Sequence, residues 1–141
     1  MLLRLRIIAV QIILLLLIIS GCAASNPTSQ PTVGLVFPQI RPNSIGQVPQ
    51  AIASGELIIR GNCLRLEPAN NQASYLIIWN DQFRLEKTTI SDLKTAQQLI
   101  VGSQVWLGGG EVQPEFFTHL AAPLNNACIG PYWFATEIIA N

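Results

Sequence analysis

Residues 7–19 form an apolar run broken only by Gln11, with Arg4 and Arg6 ahead of it and Ser20-Gly21-Cys22 closing it. A membrane-spanning helix needs about 20 apolar residues, so this run is too short to be read as one. A charged start, a short apolar core and small residues at the end describe a leader that is removed, the alternative being an uncleaved signal anchor, and residues 1–21 are excluded from the fold. A polar, proline-containing stretch follows from Ala23 to about Ser54. That leaves a folded domain of roughly 90 residues over 55–141, a size that folds alone with a thin margin and gains from a covalent staple. The positive mean hydropathy of the chain is inflated by the leader.

The segment Leu17-Ile18-Ile19-Ser20-Gly21-Cys22 resembles the lipobox of bacterial lipoproteins. The resemblance implies cleavage between Gly21 and Cys22, a diacylglyceryl group on the Cys22 thiol, and acylation of the new amine by a fatty acid such as palmitate. Several chains matter physically, because each buried methylene contributes about 0.8 kcal/mol and one chain alone holds only marginally. The resemblance also implies a bacterial cell envelope protein, held by its lipid on the extracytoplasmic side of a membrane. Ala23 stands where an aspartate would mark inner-membrane retention, which favours the outer membrane if the organism has one.

With Cys22 assigned to the lipid, two of the three cysteines remain, Cys63 and Cys128. In an exported compartment such an even pair is most simply a disulfide. It would tie down the long loop expected over Pro114–Ala127. The stretch from Ala23 to Ser54 reads as a tether, stiffened by Pro27, Pro31, Pro38, Pro42 and Pro49. The alternative is that Leu35–Phe37 add an edge strand to the domain.

Beyond the leader, six basic residues face eight acidic ones, a balance of −2 with no basic run. Binding to nucleic acid rests on Lys and Arg neutralising phosphates, so no nucleic-acid partner is expected.

Within the domain, Glu56–Leu66 reads as one long strand bent at Gly61, since a glycine inside a strand pattern marks a bulge or bend. Pro68–Gln72 is a turn signal. Tyr75–Trp79 is apolar on both faces and is expected to be a central strand. Asn80-Asp81-Gln82 connects it to Phe83–Lys87, which alternates cleanly with one wet face. Ser91–Ile100 is expected as a short helix, with Ser91 as its cap, Asp92 in the first turn, and Leu93, Ala96 and Ile100 on one face. Gln104–Leu107 and Tyr132–Ala140 complete the strands, and Gly108-Gly109-Gly110 reads as a strand end or a bulge. The order of long bent strand, strand, strand, short helix, strand, strand resembles the OB-fold, a small five-stranded Greek-key barrel. A sandwich-like or SH3-like β fold is the competing architecture. The expectation is a mainly β domain in either case.

The residues bearing chemistry are few. The single histidine, His119, falls in the expected long loop, and no Gly-x-Ser-x-Gly elbow is present. One histidine and two paired cysteines cannot make a closed zinc site, and no calcium-loop spacing appears, so no metal and no cofactor are expected. The triple glycine lacks the lysine and serine or threonine of a phosphate loop. Glu111 and Glu115 are two loop carboxylates of the type a glycosidase needs in a fixed pair, yet loop glutamates are usually just solvated. Aromatic rings in or beside strands remain: Trp79, Trp106, Tyr132 and Trp133. OB-folds bind oligonucleotides or oligosaccharides on one face, and ring faces stack on bases or sugars, which makes these four the candidate ligand-binding residues. The competing role for them is core filling. The expected function is a non-enzymatic, membrane-anchored binding or assembly module for an envelope protein or glycan. The alternative is a small envelope hydrolase, or an accessory subunit of one, built around His119 with Glu111, Glu115 or a serine.

Overall fold

The computed structural model describes residues 34–45, 48, 50–70, 72–124 and 126–139. The leader and Cys22 lie outside the described residues. The described chain is mainly β, with eight strands in two sheets and one short 3-10 helix.

The first two strands come from the stretch read as one. β1 spans Ala51–Arg60 and β2 spans Cys63–Glu67. They form an antiparallel hairpin in which Arg60 faces Cys63, so Gly61-Asn62 is a two-residue turn and not a bend in a continuous strand. Gly61 has φ 65, which suits a residue without a Cβ. β1 also starts earlier than expected, with Ala51 already paired to Gly109. β3 (Tyr75–Trp79) pairs antiparallel with β2 and parallel with β8 (Tyr132–Ile138). β7 (Gln104–Val112) pairs antiparallel with both β8 and β1. The five pairings β1-β2-β3-β8-β7 thus return to β1 and leave no free edge in this sheet.

The second sheet replaces the expected helix. β4 (Phe83–Glu86), β5 (Thr89–Asp92) and β6 (Gln98–Ile100) form a three-stranded antiparallel meander. Leu93 and Ile100, which helical spacing would put on a buried face, are 62% and 60% exposed. Thr88-Thr89-Ile90 supplies β-branched residues that favour the pleat over a helix. Asp92 is buried and does not act in a helical first turn. Its Oδ1 accepts from the backbone N–H of Lys94 at 2.8 Å and of Thr95 at 3.4 Å, and its Oδ2 accepts from Gln82 Nε2 at 3.0 Å. The carboxylate therefore closes the β5–β6 turn and ties it to the β3–β4 connection.

One core serves both sheets. Leu57, Leu64, Leu66, Ile77, Trp79, Val105, Leu107 and Trp133 pack with Phe83, Ile90 and Leu99 of the meander. The strand parity explains the choice of residues. Along β7, Val105 and Leu107 are buried while Gln104 and Trp106 are exposed. The ladder to β8 then shifts register between Gly108 and Gly109, where Gly108 faces Glu137 and Gly109 faces Ala135. After this bulge, Glu111 is exposed and Val112 is buried in a second cluster with Ile40, Ile78, Leu120 and Phe134. The triple glycine thus lies inside a strand that runs on to Val112, opposite a bulge whose extra residue, Thr136, is on β8, and is not a strand end.

The segment expected to be tether packs on the domain over residues 34–45. Val36, Gln39 and Ile40 form isolated bridges to Cys63, Trp79 and Leu120. Phe37 stacks on Trp79 with centroids 5.3 Å apart, and Ile40 is buried. These contacts are bridges and not an added named strand. The expected long loop also carries structure, a 3-10 helix over Pro114–His119.

Cys63 and Cys128 are disulfide-bonded, with Cα atoms 5.6 Å apart and 65 residues of separation. Beside the bridge, Arg65 is buried, and no carboxylate among the described residues forms an ion pair with it. Its Nε donates to Ser74 Oγ at 2.9 Å, Nη1 to the Ile129 carbonyl at 2.8 Å, and Nη2 to the Ser74 carbonyl. Burial lowers its pKa, with the nearby Arg60 charge adding to the effect. Arg65→Met keeps the apolar stem and removes the donors, leaving the Ile129 and Ser74 carbonyls short of partners. The expected loss is about 2–3 kcal/mol of unfolding free energy, read by chemical denaturation.

Candidate ligand-binding cleft

The four candidate aromatics do not form one platform. Trp79 has no exposed surface, since its ring lies between Phe37 and Phe83, the latter edge-on with centroids at 5.1 Å. A ring without an accessible face cannot stack on a ligand, so Trp79 is a core residue. Trp133 is 6% exposed and meets Tyr75 edge-on, which puts it in the same category. Tyr132 is half-buried and packs edge-on against Phe117 with centroids at 4.7 Å. Trp106 is different, at 41% exposed.

The outward position of Trp106 follows from β7 parity before the bulge. Its backbone is held on both sides, by pairing with Ser54 of β1 and by the N–H of Ile139, which donates to the Trp106 carbonyl at 2.9 Å. The ring therefore stands on a fixed strand and not on a loop. It lines a cleft of about 440 Å³ between β6 and the β7–β8 pair. Leu99, Val105 and Ile138 form its buried floor, and Gln97, Gln98 and Gln104 its polar rim. Thr95 Oγ1 donates to Gln97 Oε1 at 3.0 Å and so orients that carboxamide. No ionisable side chain is among the described residues that line the cleft. Its size lies within the range of about 300–1,000 Å³ for small-molecule sites.

The glutamines were not legible as a group. Gln97 and Gln98 fall in the stretch read as a helix, and only the β5–β6 hairpin brings them across from Gln104. The signal that could have found them is the β-branched Thr88-Thr89-Ile90 run followed by Gln98-Leu99-Ile100, two short strands about a turn.

Of the residues considered for catalysis, Glu115 and His119 lie in the 3-10 helix Pro114–His119 and Glu111 lies in β7. The His119 ring packs against Phe116 with centroids 5.4 Å apart. The Tyr75 hydroxyl donates to Glu111 Oε2 at 3.4 Å, and burial together with that carboxylate raises the Tyr75 pKa. No group of three or more His, Cys, Asp or Glu among the described residues could hold a metal ion. No helix among the described residues is long and apolar enough to cross a membrane. No protein-family model, no curated protein and no solved structure matches this chain.

Proposed function

We propose that this chain is a lipid-anchored lipoprotein of a bacterial envelope, and that its folded domain is a non-enzymatic binding or assembly module. The observation that carries the reading is the Cys63–Cys128 disulfide, which consumes two of three cysteines and leaves Cys22 for the lipid. A disulfide of this kind belongs to an exported protein, the compartment the leader and its Ser20-Gly21-Cys22 end imply. An OB-like Greek-key barrel is the finer fold reading. It is supported by the β1-β2-β3-β8-β7 order and the parallel β3–β8 pair. The Trp106 cleft is the binding surface, because it combines an accessible ring, an apolar floor and convergent polar groups on rigid strands.

Replacing Cys22 with alanine is expected to move the protein from the membrane fraction to the soluble or uncleaved precursor pool and to abolish incorporation of labelled palmitate. Unchanged membrane attachment without label in the parent protein would instead mark an uncleaved anchor.

A further inference from the structure

We infer that the Trp106 cleft takes a neutral carbohydrate. The inference rests on the proposal that the domain is a binding module, and it names the ligand class of that site.

Three observations select this chemistry. First, the rim is built from carboxamides, Gln97, Gln98 and Gln104, with no ionisable side chain among the described lining residues. A site for a phosphate, a carboxylate or a cationic peptide would carry an opposite charge, since a charged ligand entering an uncharged apolar cleft loses hydration without compensation. Second, each carboxamide presents a donor and an acceptor, the pair that a sugar hydroxyl also presents. Three of them around one cleft match a ligand bearing several hydroxyls better than a hydrocarbon. Third, the rim stands beside a half-exposed indole held on a strand paired on both sides. An indole face is a large rigid apolar surface with a low entropic cost of ordering, and it suits the C–H face of a pyranose ring. The buried floor of Val105 and Ile138 extends that apolar surface without adding charge. A hydrocarbon ligand would leave the glutamine amides unpaired on binding, which disfavours it, and a peptide, which carries backbone donors and acceptors, is the competitor that the test includes.

The test uses the full chain in a detergent without a sugar headgroup. Tryptophan fluorescence is titrated with three neutral trisaccharides, chitotriose, maltotriose and cellotriose, alongside an uncharged apolar tripeptide. Trp79 and Trp133 are buried, so a ligand-dependent shift reports on Trp106. Saturable change is expected with at least one trisaccharide. By calorimetry, Trp106→Ala and Gln104→Leu are expected to weaken its binding about tenfold or more, while Trp106→Phe retains part of it. Both Trp106 and Gln104 are exposed, so these variants are expected to keep the parent melting temperature, which is measured in parallel. The inference is overturned by no response to all three sugars, by an unchanged affinity in both weakening variants, or by a response to the tripeptide alone. Loss of this inference leaves the membrane attachment of the parent and its dependence on Cys22 unaffected, so the two failures are separable.

Discussion

Replacing Cys63 and Cys128 together with alanine is expected to lower the unfolding free energy by about 4 kcal/mol, the chain-entropy value for closing a loop of this length. For a domain of this size that loss corresponds to a fall in Tm of roughly 15–25 °C. The 65-residue separation makes the effect large, because the bridge joins the start of β2 to the segment before β8 and spans most of the fold between. Packing at the site adds to it. Cys63, Leu76 and Cys128 form a small buried cluster of their own, with Val36, Leu124 and Tyr132 against it. Two alanines leave space there that these neighbours must collapse to fill. Thermal melts of the double variant and the parent, followed by circular dichroism, give the comparison. A loss below about 1 kcal/mol would mean that the packing of the two segments, including the Arg65 bonds to Ser74 and Ile129, holds them without the covalent link.

Gly109→Ala is expected to be of similar size, a loss of about 3 kcal/mol or more or failure to accumulate as folded protein. Gly109 has φ 149, which side-chain-bearing residues rarely adopt. A Cβ there would overlap the Phe134 carbonyl oxygen and lie 3.2 Å from Trp133 Nε1. Neither neighbour can give way, since one is strand backbone and the other a buried ring of the core. The position also sets the register of the whole ladder. The extra residue at the bulge, Thr136, is on β8 opposite Gly108 and Gly109, while β7 keeps its alternation, with Val105 and Leu107 in one cluster and Val112 in the other. Gly102→Ala is the matched control. Gly102 also has a positive φ, of 93, but nothing lies within 4 Å of a Cβ there. A backbone penalty of about 1 kcal/mol is expected at that site, read by urea denaturation. Equal losses at Gly102 and Gly109 would show that φ alone, and not the close approach of β8, governs the bulge.

The strands were legible where alternation was strong and local. Tyr75–Trp79 reads as a central strand because both faces are apolar, and both faces are buried, Ile77 and Trp79 in one cluster and Ile78 in another. Phe83–Glu86 alternates in burial as its residues alternate in polarity. Gly61 misled because a glycine within an apolar run fits a bend as well as a turn. The Gly61-Asn62 dipeptide is itself a hairpin signal, and it decides for the turn. The Ser91–Ile100 stretch misled for a different reason. Leu93, Ala96 and Ile100 have helical spacing, but the partners that make the segment β, Arg84–Glu86 and Thr89–Ser91, lie upstream and act through pairing. The tether misled because proline and polar residues dominate its composition. Its apolar side chains Leu35, Val36, Phe37 and Ile40 nonetheless pack on the domain, Phe37 against Trp79, and Gln39 Nε2 donates to the Phe83 carbonyl.

The candidate site was legible only in part. Trp106 stands out by strand parity, since its neighbours Val105 and Leu107 point inward. Trp79 was drawn into the same group by residue type, although a strand apolar on both faces already argued for its burial. For the glutamine rim, the local pattern of Thr88-Thr89-Ile90 and Gln98-Leu99-Ile100 encodes the β5–β6 hairpin, but not the long-range placement of β6 beside Gln104 of β7.

Whether the domain is exported and held to a membrane by lipid is decided by mass spectrometry of the N-terminal peptide from protein purified out of the membrane fraction. The expected product is a mature chain beginning at Cys22 and carrying a diacylglyceryl thioether, with Cys63 and Cys128 recovered as a single cross-linked peptide. An N-terminus upstream of Cys22, or an unmodified Cys22 thiol in membrane-bound protein, would contradict it.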